Sequence, residues 1–144
     1  MSLESNKAVL RRIVDEIYNQ GKLAAIDELF AASYVERDPP VPGFPEGRAG
    51  VHQYFANLRS AFPDLRVILE DVVAEGDKAV ARLTASGTFK QSFMGMAPTG
   101  KRATWAEVHI CRLSSNNQLV EHWGSVDQLG MLQQLGVIPE LAPA

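Results

Sequence analysis

Leu10, Ile13, Val14, Ile17 and Tyr18 fall at the i, i+3, i+4, i+7, i+8 spacing of one helical face, with Arg11, Arg12, Asp15 and Glu16 opposite. The spacing predicts an amphipathic helix over 6–20, and Gly21 follows where helices commonly end in a left-handed residue. Leu23, Ile26, Leu29 and Phe30 predict a shorter second helix, and Val51, Tyr54, Phe55 and Leu58 a third, bounded by Pro63. Beyond Pro63 the period drops to two. Leu65, Val67 and Leu69 alternate with Arg66 and Glu70, and Glu75-Gly76-Asp77-Lys78 is a hairpin turn signal. Further strands are expected over 79–88, 101–113 and 119–126, with a polar turn at 114–118 between the last two. A short helix over 127–135 closes the chain and is ended by Gly136.

Helices followed by strands predict an α+β fold, a single domain over 1–144, not an alternating α/β sheet. The strands are joined too tightly for parallel crossovers, so the sheet should be mainly antiparallel. Two irregular segments interrupt the pattern. Residues 38–45 carry four prolines, which forbid helix or central strand, and are read as a surface connection. Residues 91–100 place Phe93, Met94, Met96 and Pro98 around Gly95, and suit either a connection or the apolar rim of a pocket.

Composition narrows the function classes. A length of 144 residues suits one domain, and 46% hydrophobic with 22% charged residues suits a soluble fold. A net charge of −3 with no basic stripe argues against nucleic acid as the partner. Cys111 is the one cysteine, which excludes an internal disulfide and a Cys-rich zinc site. No signal-type apolar core opens the chain and no run approaches the ~20 residues of a membrane span, so a cytoplasmic protein without membrane contact is expected.

Three histidines are available for chemistry. His52 lies on the polar side of the third helix and should be solvated. By the period of two, Trp105, Glu107, His109 and Cys111 share one strand face, with Val108 and Ile110 on the other. On the next strand Val120, His122 and Gly124 share a face. A hairpin of suitable register would bring Glu107 and His109 within reach of His122, and a carboxylate beside an imidazole suffices for acid–base work near neutral pH. The same residues would also serve as structural hydrogen-bonding groups. No H-E-x-x-H or similar spacing supports a metal site. Asp127 is simplest as the N-cap of the last helix. There is no G-x-S-x-G elbow and no glycine-rich phosphate loop, and Cys111 sits mid-strand without an activating context.

A set of short motifs, in order, carries a resemblance over nearly the whole chain. They are Tyr34 to Pro39, Pro42-Gly43, Gly47 and Gly50, Ala61-Phe62-Pro63-Asp64-Leu65, and Glu70 to Asp77. Ala81-Arg82, Gly87-Thr88, Thr99-Gly100-Lys101, Glu121-His122-Trp123 and Gln133-Gln134-Leu135-Gly136 follow. The chain resembles the SnoaL-like polyketide cyclases, or ester cyclases. The resemblance implies a cone-shaped α+β barrel shared with nuclear transport factor 2 and ketosteroid isomerase. Three N-terminal helices would pack on a curved sheet of about four long strands, around an apolar ligand site. It implies ring closure by intramolecular aldol condensation, without metal or organic cofactor, and a homodimer formed through the outer sheet face, where Val108 and Ile110 lie. His122 matches a pocket histidine of the cyclases. Their key aspartate falls two residues later, where this chain has Gly124. The chain also has Arg37 before Asp38-Pro39 and Phe89 after Gly87-Thr88, where the family often has His.

Two readings result. In the first, an acid–base enzyme acts on an apolar carbonyl compound, with Glu107 or Asp127 as base and His109 and His122 as donors to the developing oxyanion. Desolvation in the cone is expected to raise the carboxyl. Trp105, Arg37, Phe89, Phe93, Met94, Met96 and Tyr54 are the candidate substrate contacts. In the second, the same cone is a non-catalytic binding module for a hydrophobic small molecule. The position of the Glu107 and Asp127 carboxylates, in the cavity or out of it, separates the two.

Overall fold

The computed structural model describes residues 2–143. Its first helix starts at a capping box, with the Ser2 hydroxyl accepting from the Ser5 N–H, and runs as α1 over Leu3–Arg12. The winding then widens into a π-helical segment over Ile13–Asn19, with bonds such as Gln20 N–H to the Asp15 carbonyl. Ile13, Val14, Ile17 and Tyr18 are buried there, as the apolar spacing predicts. Helix α2 covers Ala25–Leu29 and α3 covers Gly47–Ala61.

The sequence pattern assigned Phe30 to the second helix. In the structure Phe30 opens a strand, β1 over Phe30–Glu36, which the pattern did not predict. The remaining strands are β2 (Arg66–Glu75), β3 (Lys78–Thr88), β4 (Arg102–Leu113) and β5 (Leu119–Val126), and α4 over Gln128–Gln134 closes the fold. The sheet therefore has five strands and not four, in the order β1-β5-β4-β3-β2. It is open and mainly antiparallel, and β1 alone runs parallel to its neighbour, β5. Register shifts in β2 and at the end of β4 help the sheet curve.

The curved inner face and the helices enclose one core. Ile17, Ile26, Leu29, Phe62, Phe89, Leu83, Leu119 and Leu135 are essentially removed from water. Gly136, in the left-handed region, ends α4 as expected. No helix among the described residues is long and apolar enough to cross a membrane.

Candidate active site

A cavity of about 420 Å³ opens between the inner face of the sheet, the first helix and α3. That is within the range, roughly 300–1,000 Å³, of small-molecule sites. Tyr18, Tyr54, Phe55, Phe93 and Trp105 give it aromatic walls. The proline-rich segment is not merely a surface connection, because Asp38, Pro39, Pro40, Phe44 and Pro45 line the cavity. Rigid prolines leave the backbone without donors, so it can face an apolar space at little desolvation cost.

The β4–β5 register sets the polar centre. Cys111 pairs with His122 and His109 with Gly124, so the two imidazoles lie diagonally across the ladder on the inner face. His109 Nδ1 is 2.8 Å from His122 Nε2, and His109 Nε2 is 2.8 Å from Glu107 Oε1. Glu107 is only 2% exposed, and its other oxygen accepts from the Trp105 indole N–H at 2.8 Å. The Tyr18 hydroxyl donates to Oε1, the oxygen that faces His109, at 3.3 Å.

The expected rise of this carboxyl does not occur. Burial does push Glu107 up, but the hydrogen bond and charge of His109, with the bonds from Trp105 and Tyr18, outweigh it and hold the group below the usual carboxylate range. A carboxylate so occupied, with three donors on its two oxygens, is placed to orient His109.

Strand β1, absent from the sequence reading, completes the site. Its parallel register sets Glu36 beside His122, and Glu36 accepts from His122 Nδ1 at 2.5 and 2.8 Å and from the Tyr34 hydroxyl at 2.5 Å. Two residues on, Asp38 Oδ2 accepts from the Gly124 N–H at 2.9 Å. Tyr34, Glu36, Asp38 and Tyr18 are the site residues that sequence reasoning missed. For the first three the one signal was the alternation Tyr34-Val35-Glu36-Arg37-Asp38, which the short helix before it and the prolines after it masked, while Tyr18 was read only as part of the apolar face of the first helix.

Other expected residues separate into two groups. Trp105, Tyr54, Phe93 and Met94 line the cavity with Glu107, His109 and His122. Four do not. Asp127 is exposed and its side chain accepts from the Gly130 N–H at 3.0 Å, so it caps α4 outside the cavity. Arg37 alternates to the outer side of β1 and pairs with Glu121 at 2.6 Å. Phe89 is fully buried and stacks on Phe62 with centroids 5.6 Å apart, a core contact and not a ligand contact. Met96 turns back on Phe93 through paired backbone bonds, away from the cavity lining. His52 is half-buried and pairs with Asp27 at 3.0 Å, so it is not simply solvated.

Burial raises the Tyr18, Tyr34 and Tyr54 hydroxyls well above their ordinary range, so all three remain neutral donors. The same cause pushes the Cys111 thiol up to about 12, which leaves it unreactive. Among the described residues no group of three or more His, Cys, Asp or Glu is disposed to hold a metal ion.

A curved α+β sheet around an aromatic cavity, with imidazoles and carboxylates at its centre, defines a small-molecule site equipped with acid–base groups. The chain belongs to the SnoaL-like polyketide cyclase family, whose profile matches residues 8–135. Aklanonic acid methyl ester cyclase DnrD of Streptomyces peucetius is 30% identical over 135 residues, covering 89% of this chain and 88% of that protein. Among solved structures, TsrD from Streptomyces laurentii superposes with a TM-score of 0.86 at 28% identity, covering 96% of this chain and 99% of that one. IdmH from Streptomyces antibioticus gives 0.78 at 30% identity, covering 91% and 98%.

Proposed function

We propose that the protein is a cofactor-independent cyclase acting in the cytoplasm on an apolar polyketide-like carbonyl compound, and that Asp38 is its general base. One observation carries this reading. Where the resemblance expects a carboxylate at position 124, the chain has glycine, and the Asp38 carboxylate binds that glycine's own N–H at 2.9 Å while lining the cavity. Glu107 is too enclosed for the role and Asp127 faces away. Those two alone would favour a binding module, and Asp38 and Glu36 reverse the balance.

The steps balance without an added reagent. Asp38 takes a proton from a carbon next to a carbonyl, giving an enolate. The enolate carbon attacks a second carbonyl carbon of the same molecule, forming the new C–C bond, and the resulting alkoxide takes the proton back. Tyr54 is suited to hold the enolate oxygen. Tyr54 lines the cavity, and its hydroxyl makes no hydrogen bond among the described residues and stays protonated because burial raises it.

The test uses aklanonic acid methyl ester, named for the Streptomyces relative, and simpler aromatic diketones. Turnover should give a product of unchanged mass with an altered absorption spectrum. Asp38→Asn should lower the rate by roughly 10²–10⁴, the usual worth of a positioned base, while ligand binding is kept. Wild-type turnover in Asp38→Asn overturns the role of Asp38. Binding without turnover by the unaltered protein across the series turns the reading to a binding module. We also propose a homodimer formed through the outer sheet face.

A further inference from the structure

Glu107, His109, His122 and Glu36 form a chain of three short contacts, at 2.8, 2.8 and 2.5 Å, and the Tyr18 hydroxyl lies 3.5 Å from His109 Nε2 beside the first of them. Each contact requires one hydrogen. In the middle one, no hydrogen would set two nitrogen lone pairs against each other at 2.8 Å, and two would set two N–H groups head to head. The rings are near-coplanar, 25° apart, with centroids at 5.0 Å. Together with the 2.8 Å N···N contact, this puts them edge to edge, as an N–H···N bond demands.

Two neutral imidazoles supply two hydrogens, one short of three. The other polar groups facing the chain do not make up the difference. Trp105 and Tyr18 donate to Glu107, Tyr34 donates to Glu36, and Cys111 and Tyr54 keep their protons. Asp38 is bound to the Gly124 N–H, and its own backbone N–H donates to Glu36 Oε1 at 3.3 Å.

We propose that His109 and His122 share one excess proton, clamped between the Glu107 and Glu36 carboxylates, and that Gly124 is the residue that allows the rings to meet. With both carboxylates ionised the chain carries a single negative charge. A Cβ at position 124 would lie 2.8 Å from His122 Cε1 and 3.0 Å from His109 Nδ1, directly over the shared contact. The glycine is therefore a positioning residue. Its backbone is not in the left-handed region, so an alanine would act through this contact and not through strain.

One end of the chain, Glu36, is half-buried at the cavity beside Asp38, and the other, Glu107, is sealed. A proton arriving at the open end can be balanced by a shift of the shared proton inward, without anything leaving the protein. That use rests on the acid–base reading. The proton count does not, because it is measured without substrate.

The experiment is ¹⁵N NMR of histidine-labelled protein at neutral pH, with His52, far from the pair in its own contact with Asp27, as internal reference. Three of the pair's four ring nitrogens should carry a proton. A far-downfield proton should couple to one nitrogen of each ring. Two or four protonated nitrogens would overturn the proposal. In Gly124→Ala the shared resonance should vanish with the His52 signals and the circular dichroism unchanged, and its persistence would overturn the part assigned to Gly124. Neutron diffraction from unaltered crystals reads the same count without any substitution.

Discussion

Glu107 keeps its charge at 2% exposure because donors from two faces reach both of its oxygens. The replacement Glu107→Gln keeps the shape but puts an NH₂ where Oε1 stood, so His109 Nε2 must give up its hydrogen and the charge-assisted bonds from His109, Trp105 and Tyr18 are replaced by neutral ones. Hydrogen bonds to a charged group contribute about 1.5–3 kcal/mol against about 0.5–1.5 kcal/mol for neutral ones. A fall of several degrees in Tm at pH 7 is expected, since about 1 kcal/mol moves Tm by roughly 2–4 °C in a chain near this size. The pH dependence has a definite sign. The folded carboxyl lies below the unfolded one, so its contribution is whole above the ordinary glutamate range and is lost as pH falls through the lower folded value. Urea unfolding across that acidic range should therefore be steeper with pH for the unaltered protein than for Glu107→Gln, and equal slopes would remove the carboxylate from this account. Glu107, His109 and His122 were legible because a period of two on strands joined by a short turn fixes them. Glu36 and Asp38 were not, because their contacts with His122 and Gly124 span 86 residues and depend on the parallel pairing of β1 with β5.

At the scale of elements, the first helix was legible as apolar spacing but not in its winding. The positions Ile13, Val14, Ile17 and Tyr18 satisfy an α-helix and a π-helix alike, and the wider turn sets Tyr18 on Glu107. Strand β1 was hidden for a different reason. Its register on β5 shifts between Phe30 and Val35 and its burial does not alternate over the first four residues, so a period of two survives only from Tyr34 to Asp38, too short a run to stand out. The proline segment was legible as irregular but not as a cavity wall. It is seated by Gly50 on α3, where a Cβ would overlap the Pro45 carbonyl oxygen. In an exposed helix interior Gly→Ala stabilises by about 1 kcal/mol. Here Gly50→Ala should do the reverse and destabilise by about 1–3 kcal/mol, as overpacking against fixed backbone does. Calorimetry gives the sign directly, and a raised Tm would show that the loop is not held by this contact.

Across the whole molecule the two faces of the sheet carry opposite burdens. The inner face holds the charged chain, while the outer face carries an apolar row set by register: Val73 pairs with Val80, Val80 with Ile110, and Ile110 with Trp123. Val73 is 59% exposed, and Ile68, Val108 and Ile110 are also exposed. A row of this kind crosses β2 to β5 at one level, and the proposed homodimer would pair it with its own copy about a two-fold axis. Lys78 and Arg112 lie near the Trp123 ring, at 5.8 and 6.0 Å, at one end of the row, and Arg112 is paired there with Asp77 and Glu121. With a net charge of only −3, long-range repulsion between copies is small. Light scattering after size exclusion should give twice the chain mass for the unaltered protein. Ile110→Lys puts a charge at the centre of the row and should yield monomer with the same circular dichroism. Its ligand binding should be unchanged, because Ile110 points away from the cavity that His109 and Cys111 line. A monomer from the unaltered chain, or a dimer that survives Ile110→Lys, would leave the outer face without this role.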